Sequence, residues 1–319
     1  MTLPDDLNRA WSDPGLQQAA EALISGDPTP AYELLAAGSS DPERRCLRAD
    51  VLGEVGARHL PPLREAAGDD AHWSLLWGSA MCHAAWSARG SATMDHTAEN
   101  QVRRLFELGK ESRRALRRSA ERAPGDPAPW TVLQTIVKAT ATGRPEADEV
   151  WESLRRIAPD SFMGNHQRLS ILCRKWYGST EEMLAFMRER CATLPDGHPL
   201  WSLAPQAHIE VWVDGHMTGN LVKRIYRATT YGPLKKRAVL AEVGAASDRM
   251  LAGAAAYAGH PWTVMAHQMF GAFYFKAGVR ERARVHLELG GDRSSIWPWG
   301  YFGGAAQDEL AGARKAAGL

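Results

Sequence analysis

The chain has 319 residues, of which 45% are hydrophobic and 24% charged, with a formal net charge of +1. This is the balance of an ordinary soluble protein long enough for one repeat array or two compact domains, and it gives no global pull toward nucleic acid or an anionic membrane. No stretch approaches the roughly 20 apolar residues of a membrane span, and Asp5 and Asp6 stand where a signal peptide would carry lysine or arginine, so the expected compartment is the cytoplasm.

From the amino terminus onward, apolar residues recur at three- and four-residue spacing, and strand-like alternation is nearly absent, which predicts an all-α fold. Breakers punctuate the pattern at Asp13-Pro14-Gly15, Gly26-Asp27-Pro28, Ser40-Asp41-Pro42, Pro61-Pro62, Gly143-Arg144-Pro145, Tyr177-Gly178-Ser179, Gly232-Pro233 and Ala277-Gly278. Asp or Ser ahead of Pro marks a helix start, because a capping acceptor precedes a residue already fixed at helical φ. Residues 1–95 read as an irregular helical region. Residues 96–123 read as one helix of about 40 Å, capped by Thr97 or Asp95 with Glu99 or Glu107 near its positive end.

Beyond it, the phrase Gly125-Asp126-Pro127-Ala128-Pro129-Trp130 returns in altered form as Asp160 to Gly164, as Asp196-Gly197-His198-Pro199-Leu200-Trp201 and as Gly259-His260-Pro261-Trp262. The prolines that precede the first three copies, Pro124, Pro159 and Pro195, are 35 and 36 residues apart, a period that signals stacked supersecondary units. In the clearest unit, Trp130, Leu133, Val137 and Ala141 share one helical face. After a turn at Gly143-Arg144-Pro145, Ala147, Val150 or Trp151, and Leu154 face back. A second unit runs from Phe162 to Trp176 and returns from Ser179 to Cys191, with Ser179 and Glu182 in capping-box spacing. Such pairs cannot seal their own apolar faces and stack on neighbours, which predicts a solenoid over residues 96–319.

Trp130, Leu133, Ala147 and Pro159 resemble the tetratricopeptide repeat, although Gln134 stands where that motif prefers Gly and the closing Pro falls one residue late. The phrase from Lys175 to Met183, and the run from Ala277-Gly278 to Trp297, resemble an uncharacterised family of bacterial tetratricopeptide-like proteins. The resemblance implies a right-handed α-solenoid of antiparallel helix pairs and carries almost no functional implication.

Candidate sites are few. His208, Glu210, Asp214 and His216 form the densest run of possible ligands, but Glu210 and Asp214 fall about 160° around a helix from the two histidines. This run is the basis of an alternative reading as an enzyme of specialised metabolism with a His/carboxylate site, metal-dependent in one version. The long helix carries Arg113, Arg114 and Arg117 in a basic stripe, and Lys235, Lys236 and Arg237 form a second cluster in a segment that breaks the repeat. The interleaved Glu107, Glu111 and Glu121 suit intrahelical ion pairs on a solvated face; as a binding stripe, the cluster fits an acidic peptide or protein better than nucleic acid. Trp297 and Trp299, in a Gly/Pro-rich turn, add aromatic anchors. Cys46, Cys82, Cys173 and Cys191 lack metal-site spacing, and no phosphate loop, nucleophile elbow or dinucleotide fingerprint occurs. No metal and no cofactor are therefore expected, and the leading expectation is a non-catalytic scaffold with a partner-binding groove.

Overall fold

The computed structural model describes residues 13–37, 41–66, 68–90, 97–217, 230–294 and 296–319. These residues form sixteen α-helices joined by short turns and 3-10 segments, with no strand among them. In chain order they are α1 (Pro14–Ile24), α2 (Thr29–Ala36), α3 (Pro42–Gly56), α4 (Leu60–Ala66), α5 (Ala71–Arg89), α6 (Glu99–Arg122), α7 (Ala128–Thr140) and α8 (Arg144–Ile157). There follow α9 (Phe162–Ile171), α10 (Thr180–Ala192), α11 (Leu203–Met217), α12 (Arg237–Ala252), α13 (Thr263–Ala277), α14 (Arg280–Leu289), α15 (Ile296–Trp299) and α16 (Ala306–Ala317).

The recurring Asp-Pro and His-Pro phrases are helix starts, and they share one hydrogen-bond device. Asp13, Asp27, Asp41 and Asp126 each accept, through Oδ1, the backbone N–H two residues on, at 3.2, 2.9, 3.0 and 3.0 Å. His198 and His260 do the same through Nδ1, at 3.1 Å to Leu200 and 3.3 Å to Trp262. In every case proline fills the skipped position, where a missing N–H costs nothing and φ is already helical. Ser179 caps α10 by accepting the Glu182 N–H at 3.1 Å. At the long helix α6, Ala98 occupies the N-cap position and its N–H donates to Gln101 Oε1 at 3.2 Å; Asp95 lies outside the described residues.

The described chain forms two compact units, one extending to Gln167 and one beginning at Arg168. In the first, α5 is enclosed by α2, α3, α4, α6 and α7. Leu75, Leu76, Ala80, Met81 and Cys82 are all buried, the pattern of a helix that is apolar around most of its circumference. Leu133 and Val137 of α7 and Ala147, Val150, Trp151 and Leu154 of α8 are buried as their spacing predicts. Trp130, expected to anchor that pair, is only half-buried; the buried face of α7 is instead turned toward Thr131, Val132 and Ile136 because α3, α5 and α6 also pack on it.

In the second unit α13 takes the central role, packed by α11, α14, α16 and the 3-10 turn Pro199–Ser202. Trp201 and Trp262, from two of the recurring phrases, are buried there. Gly197 has φ +85°, and a Cβ on it would lie 2.1 Å from the Gly253 carbonyl oxygen. Its N–H donates to the Arg249 carbonyl at 2.9 Å, so two backbones meet with no room for a side chain. The core also holds two buried histidines: His267 Nδ1 and His286 Nδ1 share a hydrogen bond of 2.9 Å, and the His286 ring stacks on Phe270 at 4.6 Å. Burial lowers the His267 pKa to about 4 and that of His286 well below its usual value, with the neighbouring His267 and Arg282 adding to the latter.

Two outcomes follow. Gly197→Ala adds left-handed strain to a direct backbone overlap and is expected to cost at least ~2 kcal/mol in urea unfolding; an unchanged midpoint would contradict the close approach. His267, neutral in the folded protein, protonates near pH 6.5 when unfolded, so its contribution is complete above pH 6.5 and is lost as pH falls toward 4, and the lowered His286 adds in the same direction. The expected slope is ~1.4 kcal/mol per pH unit for each histidine, checked by thermal melting across that range in wild type and His267→Gln.

Candidate functional site

In the first unit, the sequence of α6 divides cleanly between two faces. Leu105, Leu108, Ala115, Leu116 and Ala120 are buried, and Ser112 and Ser119 donate from their hydroxyls to the α5 carbonyls of Gly78 and Ala71 at 2.7 and 2.8 Å. Gly109 permits the crossing over α7, since a Cβ there would lie 2.7 Å from Thr140 Cγ2. The opposite face lines a groove of about 720 Å³ beside the α7–α8 turn, with Phe106, Lys110, Arg113, Arg114, Arg117 and Arg118 along it. Phe106 is 46% exposed, unusual for so large an apolar side chain.

The five cations of this groove are not equivalent. Arg113 donates to the Thr140 carbonyl at 2.9 Å and pairs with Glu146. Arg117 forks onto Glu149 at 2.9 and 3.2 Å. That hydrogen bond holds the Arg117 pKa above and the Glu149 pKa below their usual values. Both arginines therefore serve first to hold α8 against α6. Arg118 approaches Asp69 at only 3.9 Å. Lys110 and Arg114 are exposed and form no ion pair with any described residue, so their charge is available to a ligand. Of the three arginines expected to bind a partner, Arg114 is the one without an ion-pair partner among the described residues.

The remaining candidates lie in the second unit. Lys235, Lys236 and Arg237 are exposed at the start of α12, an end whose dipole does not favour cations. Trp299 is fully buried and its indole N–H donates to Gln268 Oε1 at 3.3 Å, which makes it a core side chain, while Trp297 is half-buried. On α11, His208 Nε2 shares a 2.8 Å hydrogen bond with Glu242, which also accepts from Arg188. Burial outweighs that bond and lowers the His208 pKa. Glu210, 2% exposed, faces other partners, accepting from Lys175 Nζ at 2.5 Å and from the Tyr301 hydroxyl at 2.7 Å. Asp214 lies 3.8 Å from Arg174, and the His216 side chain is outside the described set. Among the described residues no group of His, Cys, Asp and Glu is arranged to hold a metal ion.

The convergence on Glu210 was not readable from spacing. Lys175 comes from the Lys-Trp-Tyr-Gly phrase, Glu210 from the ligand-rich run and Tyr301 from the aromatic turn, three segments far apart in the chain. Burial works to lower the Lys175 pKa, but the Glu210 carboxylate outweighs it and holds the ammonium above its usual range. Burial, reinforced by Glu210, pushes the Tyr301 phenol well up. Next to this cluster, Trp212 stacks on Tyr231 at 5.0 Å, and Lys276 Nζ sits 4.7 Å from the Phe302 ring centre while pairing with Glu309 at 2.7 Å.

Compared with known proteins, the chain matches no family model, and no curated protein or solved structure is significantly similar to it.

Glu210→Gln removes the anion from a buried pair and leaves the Lys175 ammonium uncompensated, an expected loss of ~3 kcal/mol by urea unfolding. The double variant Lys175→Met/Glu210→Gln, which buries no charge, is expected to recover part of that loss; a double variant as unstable as the single one would show that the charge pair is not the cause.

Proposed function

We propose that the protein is a helical-repeat scaffold that binds an acidic segment of a peptide or protein partner along the α6 groove. The observation that carries this reading is the combination in one groove of an exposed aromatic ring, Phe106, with two uncommitted cations, Lys110 and Arg114, one helical turn apart. Acidic side chains gain charge-assisted hydrogen bonds from Lys110 and Arg114, while Phe106 supplies apolar area that a peptide can cover. Glu121, Glu146 and Glu149 border the same face, which disfavours a continuous phosphate backbone and favours a short acidic segment. Recognition here is binding alone and needs neither a cofactor nor a metal.

A tetratricopeptide-like stack of antiparallel helix pairs, with right-handed superhelical sense, is the architecture we infer for the scaffold. Supporting it, helices adjacent in the chain pack on one another: α5 on α6, α6 on α7, α7 on α8, and α13 on α14. Lys235, Lys236 and Arg237 extend the proposal as a second basic contact for the partner. A cytoplasmic setting is supported by four buried cysteines that form no disulfide, and among the described residues no helix is long and apolar enough to cross a membrane.

The test uses a fluorescein-labelled glutamate-rich peptide containing one tryptophan, followed by anisotropy. Wild type is expected to bind it, more weakly as salt is raised, and Lys110→Glu/Arg114→Glu to bind at least ~10-fold more weakly with an unchanged melting temperature. Equal affinity of the two proteins, or tighter binding of a single-stranded oligonucleotide than of the peptide, would overturn the reading.

A further inference from the structure

The second unit contains a serine, a histidine and a second histidine linked in series. Ser247 Oγ, on α12, lies 2.8 Å from His286 Nε2 on α14, and His286 Nδ1 lies 2.9 Å from His267 Nδ1 on α13. The chain of contacts is nucleophile, base, and a third group that orients the base, each within hydrogen-bond reach of the next. When His286 Nδ1–H donates to His267, the Nε2 lone pair faces the Ser247 hydroxyl and can accept its proton. The His286 ring stacks against Phe270 at 4.6 Å, with Tyr274 at 5.9 Å beside it.

Ser247 is 1% and His286 0% exposed, yet the series borders a pocket. Ser247 and His286 form part of the wall of a pocket of about 270 Å³, whose other sides include Leu251, Val285 and Arg282. Val285 is 43% exposed, and the carboxylates of Asp248 and Glu281 complete the lining, so the rim is open and mixed in polarity. Arg282 is anchored to Asp248 at 2.8 Å and brings Nη1 to 3.4 Å from Ser247 Oγ. A positive charge at that distance from the attacking oxygen is close enough to stabilise the oxyanion that forms on the adjacent carbonyl oxygen when Oγ adds to the carbon. The pocket volume fits a short acyl group against Leu251 and Val285.

We propose that Ser247 is the nucleophile of an acyl-transfer site that cleaves carboxylic esters with short acyl chains, with His286 as general base, His267 as its positioning residue and Arg282 stabilising the oxyanion. Ser247 Oγ forms a bond to the carbonyl carbon, its proton passes to His286 Nε2, and the carbon–oxygen bond to the alcohol breaks as that proton is delivered to the departing oxygen. Water then attacks the acyl-serine, giving a proton to Nε2, and the acid leaves as Oγ recovers it. The sum is ester plus water to acid plus alcohol, with no change of oxidation state. This activity is separate from the groove of the first unit and goes beyond the binding reading.

The full-length protein is treated with a fluorophosphonate probe, which forms an Oγ–phosphorus bond with loss of fluoride, and is assayed for p-nitrophenyl acetate hydrolysis. Expected are one adduct per chain, mapped to Ser247 by peptide mass spectrometry, and hydrolysis that falls ~100-fold or more in Ser247→Ala. His267→Gln is expected to lower kcat with KM little changed, which a purely structural contact would not do selectively. Absence of labelling in folded wild-type protein, labelling at a different residue, or hydrolysis by a folded Ser247→Ala at the wild-type rate would each overturn the proposal. The mapped adduct is read on wild type alone and decides the matter even if a variant fails to fold.

Discussion

A single buried guanidinium fixes the geometry of the first unit. Arg45, on α3, donates through Nε to Asp126 at 2.7 Å and through Nη1 to the Leu35 carbonyl at 2.5 Å, and its Nη2 lies 3.3 Å from His72 Nδ1. Its three contacts are with the end of α2, the start of α5 and Asp126, two residues before α7. A cation that is 8% exposed is tolerable only when every donor is met, and the planar fork of arginine allows just one arrangement of the three helix ends around it. The negative end of α2 and the carboxylate of Asp126 both favour the charge they meet. Arg48, on the same helix, reaches Asp13 at 2.7 Å and ties the start of α1 to the same frame.

The groove follows from that frame. With α2, α3 and α7 set around α5, the remaining flank of α5 is covered by α6, whose hydroxyl-to-carbonyl bonds and glycine crossing leave it little freedom to rotate. Its polar face then stands beside the α7–α8 turn. Glu146 and Glu149 on α8 engage Arg113 and Arg117 but leave Lys110 and Arg114 exposed. The free charge of the groove is thus a remainder, set by which carboxylates α8 can present.

The second unit satisfies its buried polar groups differently. Instead of one central charge it has separate closed groups: Lys175 with Glu210 and Tyr301, Lys276 with Glu309, and the two core histidines with Ser247. Each is costly to leave incomplete, because a buried donor or acceptor without a partner loses its hydration and gains nothing in return. The serine–histidine group borders a pocket, and its bonding is consequently open to chemistry as well as to packing.

Local rules made much of the helical framework legible in the chain. The acceptor–Pro phrases determine helix starts because the capping side chain, the absent N–H and the fixed φ all lie within three residues. The same holds for the buried stripe of α8 and for the long α6, whose 3.6-residue periodicity declares one face to be inside. What the sequence could not determine is which side chains from distant segments meet. Trp130 shares its spacing with buried neighbours and is half-exposed, because α7 is packed from several directions and the spacing reveals only one. Arg113, Arg114 and Arg117 look alike in the chain, yet only α8 decides that two of them are spent. In the α11 run, conspicuous by its density, His208 and Glu210 have separate surroundings, whereas Ser247, His267 and His286 carry no local signal at all: they stand 20 and 19 residues apart on three helices. Only tertiary packing brings Ser247 and His267 each within 3 Å of His286, because hydrogen bonds depend on distance in space, and helix packing sets that distance independently of position along the chain.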